Sequence, residues 1–144
     1  MKTSKSERGQ SLVELSISIL ILLTLLAGAV EFGIAFFQFV QLRDAAQEGA
    51  LYGSLNPTLL TGMGSDTVER RVRNSSSSPI DLSDASKVTV TPTIIGSPCE
   101  GNAIKVDVSF NHKIFMPFIP QILGATTIPL NASVTDTILS PVCP

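Results

Sequence analysis

Between Leu15 and Val40 the chain reads LSISILILLTLLAGAV, then Glu31, then FGIAFFQFV, and few folds can accommodate such a stretch. As a helix it would be about 39 Å long, against a hydrocarbon core of roughly 30 Å. A soluble protein could hide it only beneath a large covering surface, and only roughly 100 residues follow it. The stretch therefore reads as a membrane-spanning helix. A chain of 144 residues then has room for one further domain.

Charge placement gives the expected topology. Lys2, Lys5 and Arg8 precede the span against Glu7 alone, while the whole chain carries a formal −2. Basic residues flanking an apolar span stay on the cytoplasmic side. The chain is thus expected to cross the cytoplasmic (inner) membrane once, with its N-terminus inside and its head outside. The near-neutral balance gives no reason to expect nucleic acid as a partner.

A secretory signal places its cut beyond the apolar run. Here the run passes straight into an Ala-rich amphipathic stretch, so the candidate cut lies before it, between Gly9 and Gln10. Counting Gln10 as the first residue makes Glu14 the fifth. A carboxylate inside an apolar helix is costly in lipid and needs a partner. A newly exposed α-amino group on a neighbouring subunit would supply one at matching depth, neutralise both charges and set the stagger of packed helices.

A second carboxylate, Glu31, interrupts an apolar stretch that could span without it. At 100° per residue Thr24, Gly28, Glu31, Ala35 and Gln38 share an arc of about 80°. Small and polar residues on one stripe let another helix approach closely. Ser11, Glu14 and Ser18 form a shorter second stripe. Glu14 and Glu31 are the residues expected to pack against other subunits, with Glu31 facing protein or the outer interface.

From Arg8 to Tyr52 the residues RGQSLVE, then EFG at Glu31-Phe32-Gly33, then AAQEGALYG at Ala45–Gly53 together resemble the N-terminal region of the TadE-like family. Its members are minor pilins, or pseudopilins, of tight-adherence (Tad/Flp) pilus systems. The resemblance implies a leader removed after Gly9 by a prepilin peptidase of the inner membrane. It also implies a supporting role in assembling a type IV-like pilus, and hence in surface adhesion. The partners it implies are the peptidase, other pilins and the proteins of the assembly platform. Many type IV prepilins carry Phe after the cleaved Gly, whereas this chain has Gln10.

The organisation expected is a leader over 1–9, a transmembrane and amphipathic helix over 10–55, a connecting helix and linker over 56–86, and a β-rich head over 87–144. The helix should end before Asn56-Pro57, because a residue preceding proline is driven from helical geometry. Ser65 is the expected N-cap of a short helix through Asp66–Arg73, whose three arginines read as a solvated helix end. Asn74–Pro79 reads as a flexible linker or loop. Beyond Lys87 the apolar period changes to two, giving strands at Val88–Ile95 and Ala103–Phe110. Ile114–Ile119 is apolar but broken by Pro117, and Thr126–Leu139 is a long alternating run. Three or four antiparallel strands packed on the helix would make an α+β fold. Cys99 and Cys143 would both be exported, where a disulfide between them would close a loop of about 44 residues and add about 3–4 kcal/mol.

Recognisable catalytic chemistry is missing. His112 is the only histidine, with no flanking motif, and at the end of a strand it reads as a surface residue. There is no Gly-rich phosphate loop, HExxH, CxxC or EF-hand pattern. Asp81 and Asp84 are better explained by a turn than by a cation. No enzyme activity, cofactor or metal is expected. The rival to the pilin reading is an uncleaved single-pass anchor whose head binds a ligand or regulates a partner.

Overall fold

A computed structural model describes residues 5–61 and 66–140 of the chain, the side chains of 5–8 excepted. It has an α+β architecture: one long helix carrying a small antiparallel sheet along its second half. Helix α1 runs without a break over Lys5–Leu55. It stops where expected, with the backbone N–H and the side-chain amide of Asn56 both donating to the Tyr52 carbonyl at 3.1 and 3.3 Å.

The two halves of α1 live in different surroundings. Leu15 to Leu26 is almost wholly apolar and exposed nearly all round, which suits a membrane-spanning helix. Leu42, Ala45, Ala46 and Ala50 are instead fully covered by the head. The small residues Ala45, Ala46, Gly49, Ala50 and Gly53 form a flat ridge onto which the sheet and helix α2 (Val68–Asn74) settle. A Cβ at Gly49 would lie 2.4 Å from Val72 Cγ2, and one at Gly53 would lie 2.2 Å from Ile104 Cδ1. The glycines are therefore needed for close approach.

Strands β1 (Val88–Ile95), β2 (Ala103–Lys113) and β3 (Thr127–Thr137) form one antiparallel sheet in the order β1-β2-β3. Val88 pairs with Phe110 in the first ladder, and Val108 with Ala132 in the second. Val88, Val90, Ile104, Val106, Val108 and Ala132 face the helix, joined by Val68 and Val72 of α2 and by Ile80, Leu82 and Ile138. Thr91, Asp107 and Ser133 lie side by side on the opposite, polar face, as the period of two requires. β2 runs antiparallel to α1, from Ile104 beside Gly53 to His112 beside Glu31.

Several expectations are corrected. α2 begins at Val68 with Thr67 as its N-cap, the Arg70 N–H donating to the Thr67 hydroxyl at 3.2 Å; Ser65 lies outside the described residues. Its arginines are not simply solvated. Arg73 pairs with Glu69 at 2.8 Å and donates to the carbonyls of Leu82 and Val88, while Arg71 stacks over the Tyr52 ring at 5.1 Å. Residues 75–79 form a loop, as one of the two readings had it, and Gln41 of α1 ties down the residue that follows it. The Gln41 amide donates to the Ile80 carbonyl at 2.7 Å and accepts from the Ile80 N–H at 2.8 Å.

The apolar segment from Ile114, broken by Pro117 as expected, leaves the sheet, because Pro117 and Pro120 carry no N–H for a ladder, and leads into a one-turn helix α3 (Ile119–Leu123), bounded by Phe118 and Gly124 in left-handed conformation. Asp81 and Asp84 each accept from a serine two residues on, and Asp84 also binds Lys87 at 2.7 Å. Lys87, followed by the Ser86 hydroxyl and N–H, holds the Asp84 carboxyl down at about 2. The turn reading of that pair stands.

Filling the small-residue ridge should push the head off the helix. Gly49→Val or Gly53→Val is expected to destabilise the head by about 1–3 kcal/mol, read as a lower urea midpoint for the detergent-solubilised protein.

Candidate functional site: a carboxylate junction between helix and head

Glu31 sits in the middle of α1, yet it is only 3 % exposed, because the far end of the sheet closes over it. Two features of β2 bring this about. The strand continues beyond Phe110 to Lys113, so its inward parity runs on from Ile104, Val106 and Val108 to His112. The chain then turns sharply at Ile114, which aims the next two backbone N–H groups at α1.

The contacts are dense. His112 Nε2 lies 2.6 Å from Glu31 Oε1, and the opposite ring nitrogen Nδ1 lies 2.6 Å from the side-chain oxygen of Gln38. The Phe115 N–H is shared between the Glu31 carboxylate oxygens at 3.2 and 3.1 Å, and the Met116 N–H donates to Oε2 at 2.8 Å. Consecutive backbone N–H groups turned to one point make a concave anion site. Here the anion is supplied by the chain's own helix.

Both imidazole nitrogens face oxygens. A doubly protonated ring satisfies this by donating at each nitrogen; a neutral ring satisfies it once the Gln38 amide is turned to present its NH₂. Either way every polar atom has a partner, and among the described residues no buried side-chain nitrogen or oxygen is left without one. The His112 ring is 0 % exposed and packs edge-on to Phe115, with centroids 6.2 Å apart.

Glu31 does face protein, but that protein is the chain's own head rather than another helix. The polar stripe proposed on α1 is largely consumed in the same way. Gln38 binds His112, and Ile119 of α3 packs beside Gly28, 3.7 Å from where a Cβ would stand. His112 is no surface residue. The alternation of β2, followed two residues further, would have placed it inside.

Gly9, Gln10 and Glu14 all lie exposed on the uninterrupted first part of α1, open to any neighbour. Cys99 is not a free thiol. Its expected pairing with Cys143 lies outside the described residues, which end at 140. Among the described residues no cluster of three or more His, Cys, Asp or Glu side chains is placed to hold a metal ion. The arrangement is that of a structural clamp: a buried carboxylate, a ring and a pair of backbone amides in fixed geometry.

Residues 9–51 match the family model described as TadE-like protein. The match runs from the candidate cleavage site to the small-residue ridge and includes Glu31, but contains no residue of the sheet. No curated protein and no solved structure matches the chain.

Removing the carboxylate strands its donors. Glu31→Ala is expected to destabilise the head by about 3–5 kcal/mol, because buried partners lose an ionic acceptor. His112→Ala should cost less, about 1–3 kcal/mol, since the two N–H groups still hold Glu31. The double variant should show a coupling of about 1 kcal/mol or more, measured by urea titration in detergent. Strict additivity would mean that the two side chains act independently.

Proposed function

We propose that this protein is a minor pilin, or pseudopilin, of a Tad/Flp pilus: an inner-membrane precursor cleaved after Gly9 whose helix then joins a pilus or its assembly platform. The match of residues 9–51 to the TadE-like family supports association with a Tad pilus in general, and is the observation that carries the reading. The architecture agrees with it. One long apolar helix is suited to anchoring the chain by a single pass, and a small sheet clasps its second half.

In this reading Gly9-Gln10 is the substrate of a prepilin peptidase, and surface adhesion is the process served. Gly9 is a small residue at the cytoplasmic boundary of the span, where a membrane-embedded peptidase would meet it. Glu14, exposed four residues beyond the cut, pairs with the new α-amino group of a neighbouring subunit. Glu31 has another task, holding the head at a fixed height on the helix, so the axial stagger falls to Glu14. A bridge between Cys99 and Cys143 would tie the C-terminal segment to the β1–β2 turn. The protein works as a structural subunit and not as an enzyme.

The intact mass of the membrane-extracted protein tests this, in cells with and without the prepilin peptidase. A peptidase-dependent loss equal to residues 1–9, leaving Gln10 first, is the expected result. An uncut chain beside a proven peptidase substrate would instead make the protein a resident single-pass anchor. Among cleaved chains, Glu14→Ala is expected to abolish co-purification with other pilins while leaving the cut itself intact.

A further inference from the structure

Every phenylalanine of the chain lies in one of two segments, 32–39 or 110–118, and there is no tryptophan. Folding brings the two segments to one level of the molecule, around Glu31. Phe32, Phe36 and Phe37 stand exposed on α1, and Phe115 and Phe118 stand exposed on the turn between β2 and β3. From Ile114 to Thr126 that turn reads IFMPFIPQILGAT, without one charged residue. Its side chains Phe115, Phe118, Ile122 and Leu123 are 56–66 % exposed. A turn at the tip of an exported head has no reason to be so apolar if water surrounds it.

The turn also points in a particular direction. It hangs from the end of the sheet nearest the bare half of α1, and Met116, Pro117 and Phe118 lie alongside Leu20, Leu23 and Ala27. These are positions below Glu31, in the stretch that reads as crossing lipid. From Ser11 to Val30 the helix is about 30 Å long, which is the thickness of a hydrocarbon core. A bilayer filling that stretch would reach Glu31 and would contain the whole turn. The apolar surface of the turn is thus continuous with that of the helix. The flanking Lys113 is exposed, and a lysine there can hold its ammonium among headgroups while its stem stays apolar.

We propose that the Phe115–Leu123 turn is a second membrane element, seated in the outer leaflet beside α1 and held there by the grip of its own Phe115 and Met116 N–H groups on Glu31. The occupant of this apolar face is lipid. The head does not float at the end of a tether; it rests on the bilayer, at a depth set by the junction. The inference relies on α1 spanning the membrane, and the experiment separates the two.

Because the chain has no tryptophan, one substitution makes one reporter. Phe118→Trp, Ile122→Trp, Leu22→Trp and Ile95→Trp would each be made in the full-length chain and reconstituted in phosphatidylcholine–phosphatidylglycerol vesicles with or without brominated acyl chains. Leu22 reports on the span and Ile95 on the opposite end of the head. Leu22→Trp, Phe118→Trp and Ile122→Trp are expected to lose about half or more of their emission to brominated lipid, the last two chiefly to bromines within about 5–10 Å of the headgroups. Ile95→Trp should be unaffected. Phe118 and Ile122 serve together because Phe118 has positive φ and its replacement could disturb the turn.

Quenching at Leu22 with water-like, unquenched emission at both 118 and 122 would overturn the proposal and leave the span intact. Blue-shifted emission at 118 and 122 that brominated lipid fails to quench would also overturn it, by showing that protein, such as a second copy, covers the turn. No quenching at Leu22 either would overturn the spanning helix and the proposal with it.

Discussion

The buried carboxylate of Glu31 decides where the head of this protein can sit. A carboxylate in the middle of an apolar helix is unfavourable in lipid and equally unfavourable beneath an apolar sheet. It becomes tolerable only where donors have been placed for it. His112, Phe115 and Met116 place three, from one strand end and the turn behind it. The converse also holds, since without Glu31 those same part-buried N–H groups would lack their acceptor. Helix and head each contain a polar fault that only the other repairs, which makes the docking specific in register as well as favourable.

Apolar packing could not have supplied that register. The ridge from Ala45 to Gly53 is small and smooth, and it repeats Ala and Gly at helical spacing. Such a surface allows close approach, as the contacts of Val72 and Ile104 with the glycines show, but one helical turn of slippage would meet a similar surface. The polar contacts at either end exclude this. Glu31 and Gln38 hold His112 near the start of the docked half, Gln41 holds Ile80, and the Leu139 N–H donates to the Ser54 carbonyl at 2.9 Å near its finish. Burial provides most of the stabilisation, and the hydrogen bonds choose among the positions burial would accept.

The helix and the strands were legible because each is written in a strong local period. The first half of the helix is long and apolar enough to cross a membrane, and Asn56-Pro57 marks the helix end. The alternation of Ile104, Val106 and Val108 announces a strand. The junction was harder to read, because two of its three donors carry no sequence signature. Backbone N–H groups at Phe115 and Met116 could belong to any residue, and only the sharp turn makes them a site. His112 was legible in principle, as the next inward position of a strand that runs three residues beyond its expected end at Phe110. Glu31 was legible as anomalous but not as intramolecular. A polar residue in a membrane helix says that a partner exists, while which partner is a matter of tertiary geometry. The segment 114–119 was legible as apolar and proline-broken, but apolar composition does not say where a turn will lie against the rest of the fold.

The carboxylate junction and the apolar turn are physically one feature. A turn can present apolar side chains outward only if something fixes its backbone, because it has no core of its own to pack against. Here the backbone of Phe115 and Met116 is fixed by Glu31, which frees Phe115, Phe118, Ile122 and Leu123 to project away from the head. The same carboxylate that sets the register of the docking therefore sets the height of the apolar turn relative to the helix. Any process that withdrew α1 from a bilayer would carry the turn with it as one rigid piece.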